Sequence, residues 1–219
     1  MSIATAPSQD YSEDRLVLSG VTWRTYLRLL RALDDRHLRI TYDRGALEIM
    51  TLSPKHEHNK HLLSYLIGAL VEELGWNMAG YGSMTFKRRK KQRGLEPDEC
   101  YWIQNEPLVR HKEKFDWKID PPPDLVLEIE VTRSALDRIG IYETLGVPEV
   151  WRQRGTSIQI MALGGNGKYV EAPASRAFPF LPLAELERFL GLHATLGETE
   201  LVRQFRAWVR ERIAAEWKP

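Results

Sequence analysis

The sequence predicts an α/β domain, a mixed α+β sheet flanked by helices. Two observations carry this. Residues 124–131, DLVLEIEV, form a nearly continuous apolar run, the pattern of a strand buried on both faces. Residues 56–74 and 134–145 instead carry apolar side chains at helical spacing. At 219 residues, 43% of them hydrophobic, the chain can bury one full core.

The elements follow in order. Residues 1–14 read as a loose polar arm, and residues 15–219 as a single domain. Within 17–33 a helix is expected, with Thr22 as its cap and Trp23, Tyr26, Leu27, Leu30 and Leu33 as its apolar stripe. Residues 38–51 alternate on two arms around Asp43-Arg44-Gly45, a hairpin. Glu48 faces away from Leu47 and Ile49, which makes it a solvent-facing strand residue. The helix over 56–74 ends at Gly75. A short strand over 84–86 runs into Lys87, Arg88, Arg89, Lys90 and Lys91. Two readings of this basic run stand: a solvated loop, or a contact for the DNA backbone. A strand over 100–103 follows, then a polar surface loop over 105–118 that Trp117 anchors.

Three prolines at 121–123 force an extended approach to the central strand, 125–131. Thr132 and Ser134 offer caps for the helix over 134–145, Gly146 ends it, and Pro148 leads into a strand. Strand, helix and strand make a right-handed crossover between parallel neighbours. Residues 158–162 and 168–171, joined by a turn at 164–167, form an added hairpin that widens the sheet antiparallel to its edge. A short helix from Leu183 and a final helix over 200–217 make a C-terminal helical extension, 183–219. Leu201, Phe205, Trp208, Val209 and Ile213 form the buried face of the final helix, opposite a solvated arginine face.

A net charge of +1 excludes a polycation, so nucleic-acid binding needs a local patch. One cysteine, Cys100, excludes an internal disulfide and a cysteine zinc site. With neither a secretory signal pattern nor an apolar run of membrane-spanning length, the expectation is a cytoplasmic protein with no membrane partner.

The chemistry concentrates in the central strand. Glu128 and Glu130 are two residues apart, so both point to one face. Two carboxylates on one face of a buried strand repel and are costly to desolvate, and a divalent cation resolves both problems.

PPPDLVLEIEVT, Asp137-Arg138, Tyr142 and LGVPEVW, with LEIMTLSPKHEHN and EPDECYWIQN upstream, closely resemble the Uma2 proteins. These are a restriction-endonuclease-like family of the PD-(D/E)xK nuclease superfamily. The resemblance spans residues 38–152 and implies a restriction-endonuclease-like core. It makes Asp98 and Glu128 the carboxylates for Mg²⁺ or Mn²⁺. Glu57 and His58, on the early helix, become supporting or phosphate-contacting residues, and Thr132 a cap or a support of the ligands.

The signature lysine is replaced by Glu130, which cannot hold a cation against a phosphate. Either Glu130 is a further metal ligand, or Arg138 supplies the positive charge, as a clamp on phosphate. The resulting expectation is a metal-dependent endonuclease acting on DNA, conveniently as a homodimer. The alternatives are a catalytically inactive nuclease-fold module that binds DNA or a protein partner, and another metal-dependent hydrolase.

Overall fold

The structure, a computed structural model, describes residues 13–34 and 36–214. The expected arm over 1–12, the end of the expected final helix and the side chain of Ile213 lie outside the described residues. Two sheets form where the sequence suggested one. The first is five-stranded and antiparallel, in the order β1 (Arg15–Leu18), β3 (Ala46–Thr51), β2 (Leu38–Asp43), β6 (Arg93–Leu95), β5 (Phe86–Arg88). The second is six-stranded and mixed, in the order β11 (Tyr169–Ala172), β10 (Ser157–Leu163), β9 (Glu149–Arg154), β8 (Leu125–Ile129), β7 (Glu99–Trp102), β4 (Ala79–Gly80). With the flanking helices this is a mixed α+β fold, consistent with the expected restriction-endonuclease-like core.

The second sheet is built as its sequence suggests. β8 is buried throughout, pairs parallel with β9, and pairs antiparallel with β7. Its odd positions, Leu125, Leu127 and Ile129, pack in one cluster with helix α2 (Pro54–Glu73) and with α5 (Leu183–Leu192) and α6 (Glu198–Val209). The C-terminal helices thus cover one face of this sheet, and on their solvated face Arg206 and Arg210 pair with Glu73 at 2.9 Å. The even positions of β8 turn the other way. Val126 packs with Cys100, Trp102 and residues of α4 (Arg138–Leu145). The hairpin β10–β11 extends the edge antiparallel, as expected.

The first sheet has its own small core. Helix α1 (Trp23–Ala32), capped by Thr22 through the Thr25 amide at 3.2 Å, lays Tyr26 and Leu30 on Ile40, Tyr42 and Leu47. Because facing alternates along a strand, Arg39, Thr41 and Glu48 point to the opposite side. There Arg39 meets Asp98, Thr41 meets Arg138, and Glu48 meets Ser134 and the Ala135 amide in the segment before α4. Glu48 is therefore 2% exposed, not solvent-facing.

Other expectations need correction. β1 and β4 were not foreseen, being too short for periodicity to register. The helix expected over 134–145 begins only at Arg138, with Asp137 as its cap. Ser134 and the Ala135 amide are drawn off to Glu48, at 2.8 and 2.6 Å, and leave the helix start. Trp117 anchors the segment 105–118, as expected, but the segment is not all loop. It holds α3 (Glu106–Val109), and Phe115 and Trp117 stack into a cluster with Trp102 and Phe86. The basic run spans the end of β5 and the turn of the β5–β6 hairpin, which Arg93 ties to α4 by donating to the Gly140 carbonyl at 2.7 Å. Among the described residues no helix is long and apolar enough to cross a membrane.

Candidate active site

A cavity of about 570 Å³ opens between the polar face of the first sheet and the α4 side of the second. Asp98, Glu128, Glu130 and Thr132 line it, as do Arg15, Arg39, Arg133, Arg138 and Arg152. Asp98 and Glu128 reach it for the same topological reason. β7 and β8 pair Glu99 with Leu127 and Cys100 with Val126. That register, continued by one residue, sets Asp98 across from Glu128 on the α4 face.

Asp98 is buried and held at three points. Its Oδ2 accepts from the Ile129 amide at 2.7 Å, and its Oδ1 from Arg39 Nε at 3.1 Å. His56 Nε2 lies 3.2 Å from Oδ1, close enough for an ion pair but poorly aligned for a full hydrogen bond. Burial alone pushes the Asp98 carboxyl up, but His56 and Arg39 outweigh it and hold it well below the ordinary range. Burial likewise works against the charged form of His56, and Asp98 overcomes it, so the His56 pKa is raised.

Glu128 is gripped from α4. Arg138 donates Nε to Oε2 at 2.8 Å and Nη2 to Oε1 at 2.7 Å, and the Tyr142 hydroxyl also donates to Oε1. Burial raises the Glu128 pKa, Asp98 adds to the rise, and Arg138 pulls the other way. The two-point geometry is that of a carboxylate with a guanidinium, so the pair is charged. A second network lies at the rim. Arg15 donates to Glu48 at 3.1 Å and to the Thr132 carbonyl at 2.9 Å, and Glu13 accepts from Thr132.

The expected convergence of three carboxylates is not what forms. Glu130 lies just past the end of β8, where Arg152 Nε at 2.7 Å and Arg154 Nη2 at 2.7 Å hold it. Among the described residues no group of three or more His, Cys, Asp or Glu side chains is arranged to hold a metal ion. Arg138, expected on phosphate, is committed to Glu128, Thr41 and the Glu96 carbonyl. His58 is exposed and faces His193 at 5.6 Å, and it is His56 that turns inward. Glu57 pairs with Lys60 at 2.6 Å and lines a separate cavity beside Glu96. Lys87, Arg88, Arg89, Lys90 and Lys91 do not line the main cavity.

A model of the Uma2 family, described as "Putative restriction endonuclease", matches residues 23–197. The chain belongs to the Uma2 family. No curated protein matches it.

In this Uma2 chain the residues that sequence reasoning missed are Arg15, Arg39, Thr41, Glu48 and His56. Alternation along β2 and β3 already put Arg39, Thr41 and Glu48 on one face. What meets that face, Asp98, Ser134, Ala135 and Arg138, comes from segments distant in the chain, and no local pattern records it. The donor set suits a hard divalent cation in kind, since Asp98 and Glu128 are buried carboxylates on one cavity wall. Arg138 now supplies the compensating charge to Glu128.

Proposed function

We propose that this chain is a metal-dependent nuclease that hydrolyses DNA phosphodiester bonds in the cavity between its two sheets. The supporting observation is the placement of Asp98 and Glu128, buried and side by side on one wall of an arginine-lined cavity. The family description, restriction endonuclease, makes DNA the substrate of the proposal.

Hydrolysis needs a better nucleophile than water, stabilisation of charge gathering on phosphorus, and a neutralised leaving oxygen. Asp98 and Glu128 would hold Mg²⁺ or Mn²⁺, which would supply Lewis acidity there. The chain's own residues do the rest. The Ile129 amide and Arg39 aim the Asp98 carboxylate, and His56 keeps it ionised. Arg15, Arg39, Arg138 and Arg152 neutralise the carboxylates of the wall, Glu48, Asp98, Glu128 and Glu130. Arg133, exposed on that wall, is placed to meet the backbone first. Lys87 in β5 and the turn carrying Arg89, Lys90 and Lys91 are exposed and offer further backbone contacts away from the cavity.

A second reading has its own observation. Both oxygens of Asp98 and both of Glu128 already accept from protein donors. A nuclease fold so compensated would also serve as a non-catalytic module that binds DNA or a protein partner. Plasmid cleavage assayed with Mg²⁺ and Mn²⁺, with Asp98→Ala purified identically, separates the two. Metal-dependent cutting lost in the variant supports the nuclease, and salt-sensitive binding without cutting by either protein supports the module. Cutting both strands of a duplex suits a homodimer, the state we propose for the acting protein. A monomer by sedimentation at micromolar concentration counts against that.

A further inference from the structure

We infer that Arg138 is the resident cation of the carboxylate site and competes with a divalent metal ion for Glu128. This rests on the metal-dependent reading above. Glu128 is 6% exposed, and its carboxylate has little room for another ligand. Oε1 accepts from both Arg138 Nη2 and the Tyr142 hydroxyl, which uses its two lone pairs. Oε2 accepts from Arg138 Nε and keeps one lone pair. A metal ion on that remaining position would sit beside a guanidinium, and like charges repel strongly where water is excluded.

Arg138 has anchors besides Glu128. Nη1 donates to Thr41 Oγ1 at 2.6 Å, and Nη2 also donates to the Glu96 carbonyl at 2.7 Å. These anchors come from β2 and from the segment just before β7, so three parts of the chain position one guanidinium. Arg138 stays charged at any working pH, and it is not titrated away. Metal binding must therefore displace the guanidinium or tolerate it, and either lowers the affinity of the pair Asp98 and Glu128 for a cation.

The test is Mn²⁺ binding measured by calorimetry on the full chain, with thermal melting as the check on folding. The proteins are wild type, Arg138→Gln, Arg138→Lys and Glu128→Gln. Arg138→Gln is expected to bind Mn²⁺ about tenfold tighter than wild type or more, because it leaves a buried carboxylate without its counter-charge. Arg138→Lys, which keeps the charge but loses the two-point grip, is expected to fall between them, and it carries the test if the glutamine variant does not fold. Glu128→Gln is expected to lose binding. If Glu128→Gln loses binding but the Arg138 variants bind no tighter than wild type, the competition is wrong and the metal-dependent reading stands. If neither wild type nor either Arg138 variant binds Mn²⁺, that reading fails and the competition with it.

Discussion

His56 Nε2 stands 3.2 Å from Oδ1 of Asp98, while His58, two residues on, looks out toward His193. Ser53 sets this up. It caps α2 by accepting from the His56 amide at 3.1 Å, which fixes the first turn and points the His56 ring into the protein. Partners behind a ligand commonly change metal affinity or activity by about 10–100-fold when removed. His56→Ala is expected to lower the cleavage rate within that range, and His58→Ala to leave it unchanged. Parallel kinetics on the two variants check this, and equal effects would show that the inward histidine has no special role.

Glu128→Ala is expected to abolish cleavage and also to destabilise the fold. It strands the buried Arg138 guanidinium without its carboxylate, a change that costs about 3–5 kcal/mol in comparable buried pairs. Urea unfolding of the variant against wild type measures the loss. A midpoint unchanged from wild type would mean that Thr41 and the Glu96 carbonyl suffice for Arg138.

Replacing Lys87, Arg89, Lys90 and Lys91 with alanine is expected to weaken DNA binding and flatten its dependence on salt. Every side chain that neutralises a phosphate contributes about 0.9 to the slope of log K against log salt, so its removal lowers the slope by that amount. The cleavage rate at saturating DNA is expected to stay near wild type, because none of these residues lines the cavity. An unchanged salt slope would make the turn a solvated feature.

Asp43 links the two halves of the first sheet's end, accepting from Arg93 at 2.8 Å and from Arg44 at 2.9 Å. Partial burial pushes its pKa up, but the two arginines outweigh this and hold it below the ordinary 3.8. A carboxylate depressed on folding adds stability above its unfolded value and loses that contribution as pH falls through the folded one. Stability should therefore drop on the acid side, below about pH 4, and Asp43→Asn should flatten that limb. Denaturation midpoints measured from about pH 2 to about pH 6 test it, and parallel acid limbs would remove Asp43 from the account.

Gly94 is needed for a close approach. A Cβ there would meet the Tyr26 hydroxyl at 2.3 Å, and Tyr26 is pinned by stacking on Tyr42 at 4.8 Å. Gly94→Ala is expected to cost about 1–3 kcal/mol through overpacking. Thermal melting checks this, and an unshifted transition would mean that α1 can slide away from β6.

Much of the second sheet was legible in the sequence alone. An unbroken apolar run required a doubly covered strand, and the glutamate within it marked a buried charge that needed compensation. The helical stripes and the cap at Thr22 are local properties of the chain, and they stand where hydrogen-bonding chemistry puts them, whereas the start of α4 moved to Asp137 once Glu48 took Ser134 and the Ala135 amide. How each charge is compensated was decided only by tertiary structure. Glu128 and Glu130 are equivalent in the sequence, two acids of one alternation. β8 ends between them, which leaves Glu128 beneath α4 and Glu130 beside the arginines of β9. Glu48 reads as a solvent-facing residue until Arg15, Ser134 and Ala135 close on it, and Arg15 and Arg39 come to the cavity from strands distant from β8 in the chain. Local pattern records which way a side chain points, but what it meets there depends on long-range packing, and in this protein that packing selects the partner of each buried charge.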